Sequence, residues 1–215
     1  MQKMSSQDVY LALRDKIIKG EIVPGEKLSE TSLTKEFGIS RTPIREALKR
    51  LESRKLLTYE QNKGMVVPTL DSQSVSELFV IREMMESKAA SLAAKYATDE
   101  EIGILRDLVD EDWLRLEEPM VLAKTNKLFH RTINQIAHNN YLIDLSSLLD
   151  ESLSLLGKTT LLDKARAEKT LKQHQAIVEA IEQRDYKKAE AVAKDHVKSA
   201  YRARLRVTLD SEMFK

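Results

Sequence analysis

The distribution of glycine is the feature that most constrains how this chain can fold. Four of its six glycines lie within the first 64 residues, at Gly20, Gly25, Gly38 and Gly64. Turns should therefore be frequent at the front of the chain and rare behind it, where apolar residues recur at helical spacing. We predict two domains, over residues 1–70 and 71–215, that join near the stretch PTLDSQS.

The front of the chain has the element order of a winged helix-turn-helix domain. Three helices are predicted there, over residues 6–19, 29–37 and 40–52. Gly38 should close the second helix, and Ser40 is a suitable N-cap for the third. IVPGEKL is predicted to be an extended arm with a turn, and LLTYEQNKGMVVPTL to be a β-hairpin in which Gly64 has a positive φ. The short, glycine-containing turn FGIS between the last two helices completes the motif.

The rest of the chain contains only long amphipathic patterns and no strand signal. We therefore predict a mainly α protein, in which the winged helix-turn-helix is followed by an antiparallel six-helix bundle. Thr98 with Glu101 fits a capping box, and Asp185 is a suitable N-cap for the last helix. The six predicted helices lie near residues 72–96, 99–117, 119–138, 140–157, 163–184 and 186–210.

Composition excludes several classes of protein. The chain has no cysteine, so disulfides and thiolate metal sites are ruled out. It has neither an apolar run of the roughly 18 residues that a membrane span needs nor the apolar core of a signal peptide. We therefore expect a cytoplasmic protein without a membrane partner.

Charge is distributed unevenly along the chain, although the net charge is only +1. Residues 1–70 carry 13 Lys and Arg against 9 Asp and Glu, and residues 41–55 carry six cations against two anions. This excess of positive charge indicates a polyanionic partner for the front domain. A merely solvated basic helix is the alternative.

The start of the third helix has the side chains that duplex DNA recognition requires. Arg41 and Arg45 are spaced i, i+4 and project from one helix face, and arginine suits bidentate contact with guanine in the major groove. Ser40 and Thr42 can donate to phosphate oxygens. The remaining predicted DNA contacts are Lys49, one turn after Arg45, and the wing tip Lys63-Gly64.

The run PGEKLSETSLTKEFGISRTPIREALKRLESRKLL, with the hairpin end KGMVV, resembles the DNA-binding domain of GntR-type bacterial transcription regulators. The resemblance covers nearly all of residues 8–68, and SRTPIREAL is highly specific for it. It implies that Ser40, Arg41, Thr42 and Arg45 contact an operator and that Gly64 lies at the minor groove. Some relatives have an arginine where this chain has Thr31, so their operator sequences cannot be transferred to it.

Three of the four histidines of the rear domain are predicted to converge. Asn126 and His130 share a helix face at i, i+4. His174 and His196 lie ten residues before and after the turn at 184–186, so both should stand about 15 Å from it on adjacent antiparallel helices. Three imidazoles and an amide oxygen could hold one divalent cation with open positions for a ligand. Three unrelated histidines are the alternative.

Residues 72–205 resemble the FCD (FadR C-terminal) helical domain of the same family, in its six-helix version. The resemblance implies a divalent metal, Zn with Ni or Mn as alternatives, at Asn126, His130, His174 and His196. Asn126 stands where an aspartate is frequent and adds no charge, so the site could instead bind an anion without metal. His138 matches no part of this pattern and is interpreted as a surface residue.

Arg82 also matches the family pattern, within FVIREMMESKAA. The resemblance implies that its guanidinium binds the carboxylate of an effector in a cavity of the rear domain. An ion pair with Glu86 at i, i+4 is an equally good interpretation of this arginine.

These patterns together favour a dimeric transcription regulator, a repressor, that binds an inverted repeat and responds to a small organic acid. Two other classes remain open from the sequence. A metalloenzyme could use three histidines with an open position, although no acid or base lies at motif spacing beside them. An architectural DNA-binding protein would have an inert helical dimerisation domain.

Overall fold

The computed structural model describes residues 4–213, with side chains described up to residue 208. The chain divides into two compact units. The front unit contains the described residues through Leu70 together with Leu148–Gly157, and the rear unit contains Asp71–Ser147 and the chain from Lys158 onward. The predicted domain limits of 1–70 and 71–215 thus differ from the structure at residues 148–157.

The front unit has three helices and a small sheet. Ser5 begins the first helix through a capping box with Asp8, and Gly38 ends the second with a φ of 65°. The third begins after Ser40, whose backbone is extended but whose side chain makes no capping hydrogen bond. The helices are α1 (Ser6–Ile18), α2 (Glu30–Phe37) and α3 (Arg41–Ser53).

The sheet consists of β1 (Lys27–Leu28), β2 (Thr58–Glu60) and β3 (Gly64–Val66), in the order β1-β3-β2. Both pairs are antiparallel, and the predicted hairpin is the β2–β3 pair, with Gly64 at a φ of 87°. The prediction of an extended arm missed β1, because a strand of two residues is too short to show alternation. The winged helix-turn-helix prediction is confirmed.

The segment 148–157 packs into the front unit through one apolar and one acidic residue. Leu155 joins the front core, which also includes Leu13, Ile44 and Leu51. The Glu151 side chain is only 1% exposed, and it accepts hydrogen bonds from Arg14 at 2.7 Å and Arg54 at 2.9 and 3.0 Å. This segment therefore belongs to the front core although it follows the rear helices in sequence.

The rear unit is helical throughout the range that the structure describes, apart from its connections. The prediction of six helices is confirmed, and a 3-10 turn over Thr160–Leu162 was not expected. Thr98 and Glu101 form the predicted capping box, and Asp185 accepts a hydrogen bond from the Lys188 amide. The helices are α4 (Ser72–Tyr96), α5 (Asp99–Leu114), α6 (Pro119–Ile136), α7 (Asn140–Ser154), α8 (Lys164–Glu182) and α9 (Tyr186–Met213).

Small side chains allow close packing of α4 against its partners in the rear core. Ala89, Ala90, Ala93 and Ala94 are fully buried on one face of α4, and the core includes Ala189 and Ala193 of α9. Within the described part of the chain, no helix combines the length and the apolar character that crossing a bilayer demands.

Candidate functional site

The start of α3 presents the predicted DNA-contacting side chains to solvent. Ile44, Ala47, Leu48 and Leu51 fix one face of α3 in the front core. The opposite face begins with a helix N-terminus, which favours a phosphate beside it. The exposed predicted residues on and just before this helix are Ser40, Arg41, Thr42, Arg45 and Lys49.

Arg45 is not free in the unbound protein. Its Nε donates to both carboxylate oxygens of Glu30, at 2.8 and 2.9 Å, and this hydrogen bonding raises the pKa of Arg45. Glu30 lies in the first turn of α2, and sequence analysis did not connect it with Arg45. The pair holds the Arg45 guanidinium at the exposed face of the helix-turn-helix.

Arg50 lies on the same helix but has a different role. Its guanidinium lies 4.0 Å from the centre of the Tyr10 ring, and it donates to the Gln7 side chain. These contacts tie α3 to α1. Arg50 is therefore a stabilising residue of the front unit.

The wing tip also matches its predicted location. Lys63 is exposed and lies 2.6 Å from Glu60, its ion-pair partner. Asn62 and Gly64 both have positive φ values, which produces the tight turn between β2 and β3. The turn therefore places a cation at the tip of the hairpin.

In the rear unit, α6, α8 and α9 bring three histidines together. One ring nitrogen each of His130, His174 and His196 lies within 4.8 Å of the others. His174 and His196 are buried, and the side chain of His130 is 11% exposed. The hairpin spacing therefore predicted this convergence correctly.

Most of the nitrogen atoms in this histidine cluster have no hydrogen-bond partner. They are His130 Nε2, both ring nitrogens of His174, and His196 Nδ1. Burial lowers the pKa of His174 and of His196 well below the ordinary value, and the neighbouring histidines lower it further. Both rings are therefore neutral at pH 7, which is the form that binds a metal.

Glu86 fixes the orientation of His130. Its Oε2 lies 3.1 Å from His130 Nδ1, and its Oε1 accepts a hydrogen bond from Arg82 at 2.6 Å. Burial raises the pKa of Glu86, but the charges of Arg82 and His130 and their hydrogen bonds outweigh this and lower it to about 2. The ion pair that the sequence offered as an alternative role of Arg82 is thus present, whereas the link from Glu86 to His130 was missed.

The space around the histidine cluster is much smaller than the predicted effector cavity. One cavity, lined by Glu86, His130, Asn134, His196 and apolar residues, has a volume of about 10 Å³, the room of about one water molecule. A second cavity, too narrow for water, is lined by Asn126, His174 and Asp112, among others. The expectation of a chamber ready for an organic acid was wrong in this state, because side chains fill the space. An ion fits it.

Two buried arginines near this region were also missed. Arg166 is 9% exposed and its Nε has no partner, while one terminal nitrogen lies 3.4 Å from Gln173. Burial lowers the pKa of Arg166 to about 10, with a further contribution from the charge of Arg82, so it stays charged at pH 7. Arg204 is similarly buried and donates to the Lys158 carbonyl.

His138 lies outside the cluster, as predicted. Its ring is 48% exposed and its Nε2 lies 3.1 Å from Glu101.

An exposed cationic helix tip on a winged helix-turn-helix fold, followed by a helical domain with a buried polar cluster, defines a class of DNA-binding regulators. Residues 5–67 match the family model of bacterial regulatory proteins, gntR family, and residues 77–199 match the FCD domain. The chain belongs to the GntR family of transcriptional regulators and carries an FCD domain. It is a regulator and not an enzyme.

Known proteins similar to this chain agree with that assignment. The HTH-type transcriptional regulator YdhC of Bacillus subtilis (strain 168) is 31% identical over 191 residues, or 87% of this chain and 84% of YdhC. The gluconate operon transcriptional repressor of Bacillus licheniformis is 29% identical over 184 residues, or 82% of this chain and 75% of that repressor. The structure of E. coli McbR/YncC matches with a TM-score of 0.74 at 19% identity and 98% coverage of both chains, which shows a shared fold.

Proposed function

We propose that this regulator is a cytoplasmic, homodimeric repressor that binds a palindromic operator and is released by a small organic acid sensed with the help of a metal. The observation that carries the proposal is the histidine cluster, whose buried nitrogen atoms lack partners inside a regulator. A buried polar atom without a partner costs about 1–3 kcal/mol, so such a group of atoms indicates a missing ligand.

A dimer is supported by exposed apolar side chains on α4. Val80, Ile81 and Met84 are 57%, 48% and 64% exposed, and they lie on one helix face. Tyr141 and Leu145 form a similar exposed pair at i, i+4 on α7. Burying these faces against a second copy would give the two-fold symmetry that a palindromic operator requires.

The residues of the cluster fit a divalent metal. His130 Nε2 and the partnerless nitrogens of His174 and His196 are imidazole nitrogens of the kind that Zn²⁺, and also Ni²⁺ or Mn²⁺, accepts as ligands. Asn126, one turn before His130, would add an uncharged amide oxygen. The metal would supply a Lewis-acid position at which a carboxylate binds.

An anionic effector is supported by the buried cations near the cluster. The guanidinium of Arg166 lies within hydrogen-bond distance of Gln173, its Nε has no partner, and a buried guanidinium of this kind favours a bound anion. Arg82 would bind the effector if the carboxylate of the effector displaced Glu86 from the Arg82 guanidinium. Because the cavity holds only about one water molecule, entry of the effector would require the rear unit to open. An effector that binds the open form more tightly would shift the protein towards it.

Selection of duplexes from a random library by the purified, metal-loaded protein tests the proposal. We expect the enriched duplexes to share an inverted repeat, to bind two chains, and to be released by a small organic acid from a panel of aldonates and dicarboxylates. Arg41→Ala should abolish the enrichment. Enrichment of a site without symmetry would contradict the proposal. So would complexes from which no acid releases the duplex, whether the protein is metal-loaded or metal-free.

A further inference from the structure

Asp112 is a buried acidic residue for which the proposed function has no use. It lies on α5 and is 2% exposed, and its Oδ1 has no hydrogen-bond partner. Burial raises the pKa of Asp112, and a hydrogen bond with Thr125 offsets part of that effect. An unsatisfied, buried carboxyl group is costly to the fold, so its presence calls for a partner that binds it.

The surroundings of Asp112 show which partner is near. Asp112 lines the narrow cavity together with Asn126 and His174. Both ring nitrogens of His174 are buried and without partners, and the ring stacks on Phe129 at 3.9 Å between centroids. A buried acceptor and a buried ring with two unused nitrogens therefore border the same space.

His130 provides an internal precedent for what such a pair can do. Its Nδ1 contacts the carboxylate of Glu86, so its Nε2 is left for the centre of the cluster. Histidines that bind metals commonly donate their second ring N–H to a carboxylate, which fixes the tautomer and strengthens the metal bond. His174 likewise needs one ring nitrogen for the ion and a partner for the other. Asp112 is the acidic residue that lines its cavity.

We infer that Asp112 is a positioning residue of the metal site, which accepts a hydrogen bond from the ring nitrogen of His174 that does not face the ion. This inference rests on the proposed metal site. Asp112 would also supply the negative charge that Asn126, as an amide, does not bring to the site. The two histidines would thus be oriented by one carboxylate each, Glu86 for His130 and Asp112 for His174.

Asp112→Asn in the full chain tests the inference by two measurements with separate expectations. The affinity for Zn²⁺, measured by competition with a chromophoric chelator, should fall by about 10- to 100-fold. The melting temperature of the metal-free protein should stay the same or rise, because the buried amide cannot carry the charge of a carboxylate. Asp110→Asn, at an exposed position on the same helix, should change neither.

The outcomes separate this inference from the proposed function. If the parent binds neither Zn²⁺ nor Ni²⁺, the metal site itself is refuted, and the role of Asp112 with it. If the parent binds Zn²⁺ and Asp112→Asn binds it equally well, only the inference is overturned. A lower melting temperature of the metal-free variant with unchanged affinity would show that Asp112 acts in the fold alone.

A spectroscopic measurement distinguishes positioning from a general effect on the site. In the Zn²⁺-loaded parent, the His174 ring N–H should give a slowly exchanging signal in long-range ¹H–¹⁵N spectra, and that signal should be lost in Asp112→Ala, which has no acceptor at this position. Should Asp112→Asn fail to fold, Asp112→Ala is expected to show the same loss of affinity. Retention of a protected His174 N–H in folded Asp112→Ala would overturn the inference.

Discussion

Glu151 in the front unit and the histidine cluster in the rear unit are both buried and polar, but they differ in how completely their hydrogen bonds are satisfied. Glu151 is held by two arginines from the same unit. In the cluster, four ring nitrogens have no partner. A satisfied buried charge supports the fold, whereas an unsatisfied group indicates a position for a ligand.

The same contrast separates the two surfaces on α3. Arg50 contacts Tyr10 and Gln7 of α1, whereas Arg41 is exposed at the start of the helix. In the front unit, the candidate DNA-binding residues therefore lie on the surface, apart from the contacts that hold the helices together. In the rear unit, the interior itself carries the candidate site.

Removal of the Glu151 carboxylate should have the largest effect on stability. Glu151→Ala leaves Arg14 and Arg54 without their buried partner, and breaking such a pair costs about 3–5 kcal/mol. The free energy of unfolding, from guanidinium chloride titration, should fall by this amount. Glu111→Ala, at an exposed position, is the control. A loss no greater than that of the control would show that the ion pairs of Glu151 with Arg14 and Arg54 do not stabilise the fold.

Loss of the Arg45 side chain should weaken DNA binding without changing the fold. Arg45→Ala removes one bidentate base contact, so affinity for the selected operator should fall by about 5- to 150-fold while the far-UV circular dichroism is unchanged. Arg50→Ala should show the opposite pattern, with lower thermal stability and a smaller loss of affinity. Equal losses of affinity in both variants would contradict the separate roles of these arginines.

The sequence predicted those parts of the molecule that depend on local patterns. Helix limits followed from caps such as Gly38 and Thr98, and the wing followed from the Asn-Lys-Gly turn. His174 and His196 could be predicted to lie at the same height on adjacent helices. They are equally many residues from one hairpin turn, and the helical rise per residue is constant.

Contacts between distant residues could not be predicted in this way. Glu151 meets Arg54 across 97 positions, and no periodicity links them. Asp112 and Arg166 lie among many charged residues whose patterns look solvated, so their burial becomes visible only after helices pack. Glu86 was recognised as a partner of Arg82 at i, i+4, but its second contact with His130 depends on how α4 and α6 meet.

Acidification should weaken the front unit through Glu151. Burial raises the pKa of Glu151, but hydrogen bonds and charges of Arg54 and Arg14 outweigh burial and lower it below the ordinary value of 4.5. A carboxyl group with a lowered folded pKa adds stability above its unfolded pKa, and this stability is lost as pH falls through the folded pKa. From about pH 5 downwards, the parent should therefore lose unfolding free energy more steeply than Glu151→Gln. Parallel pH profiles would refute this.

The smallest effect is expected for Glu30, which holds Arg45 in the unbound protein. Glu30→Gln frees the guanidinium and removes a negative charge near the phosphates, so operator affinity at low salt should rise, by no more than about fivefold. The gain should shrink as salt is raised. A fall in affinity would mean that Glu30 instead orients Arg45 for DNA.

The metal content of Zn²⁺-loaded, desalted protein tests the central claim, that the unsatisfied histidine cluster is an ion site. Inductively coupled plasma mass spectrometry should find one ion per chain in the parent and in His138→Ala, whose ring lies outside the cluster. His174→Ala should retain almost none. An empty parent, or a His174→Ala variant as fully loaded as the parent, would contradict the account.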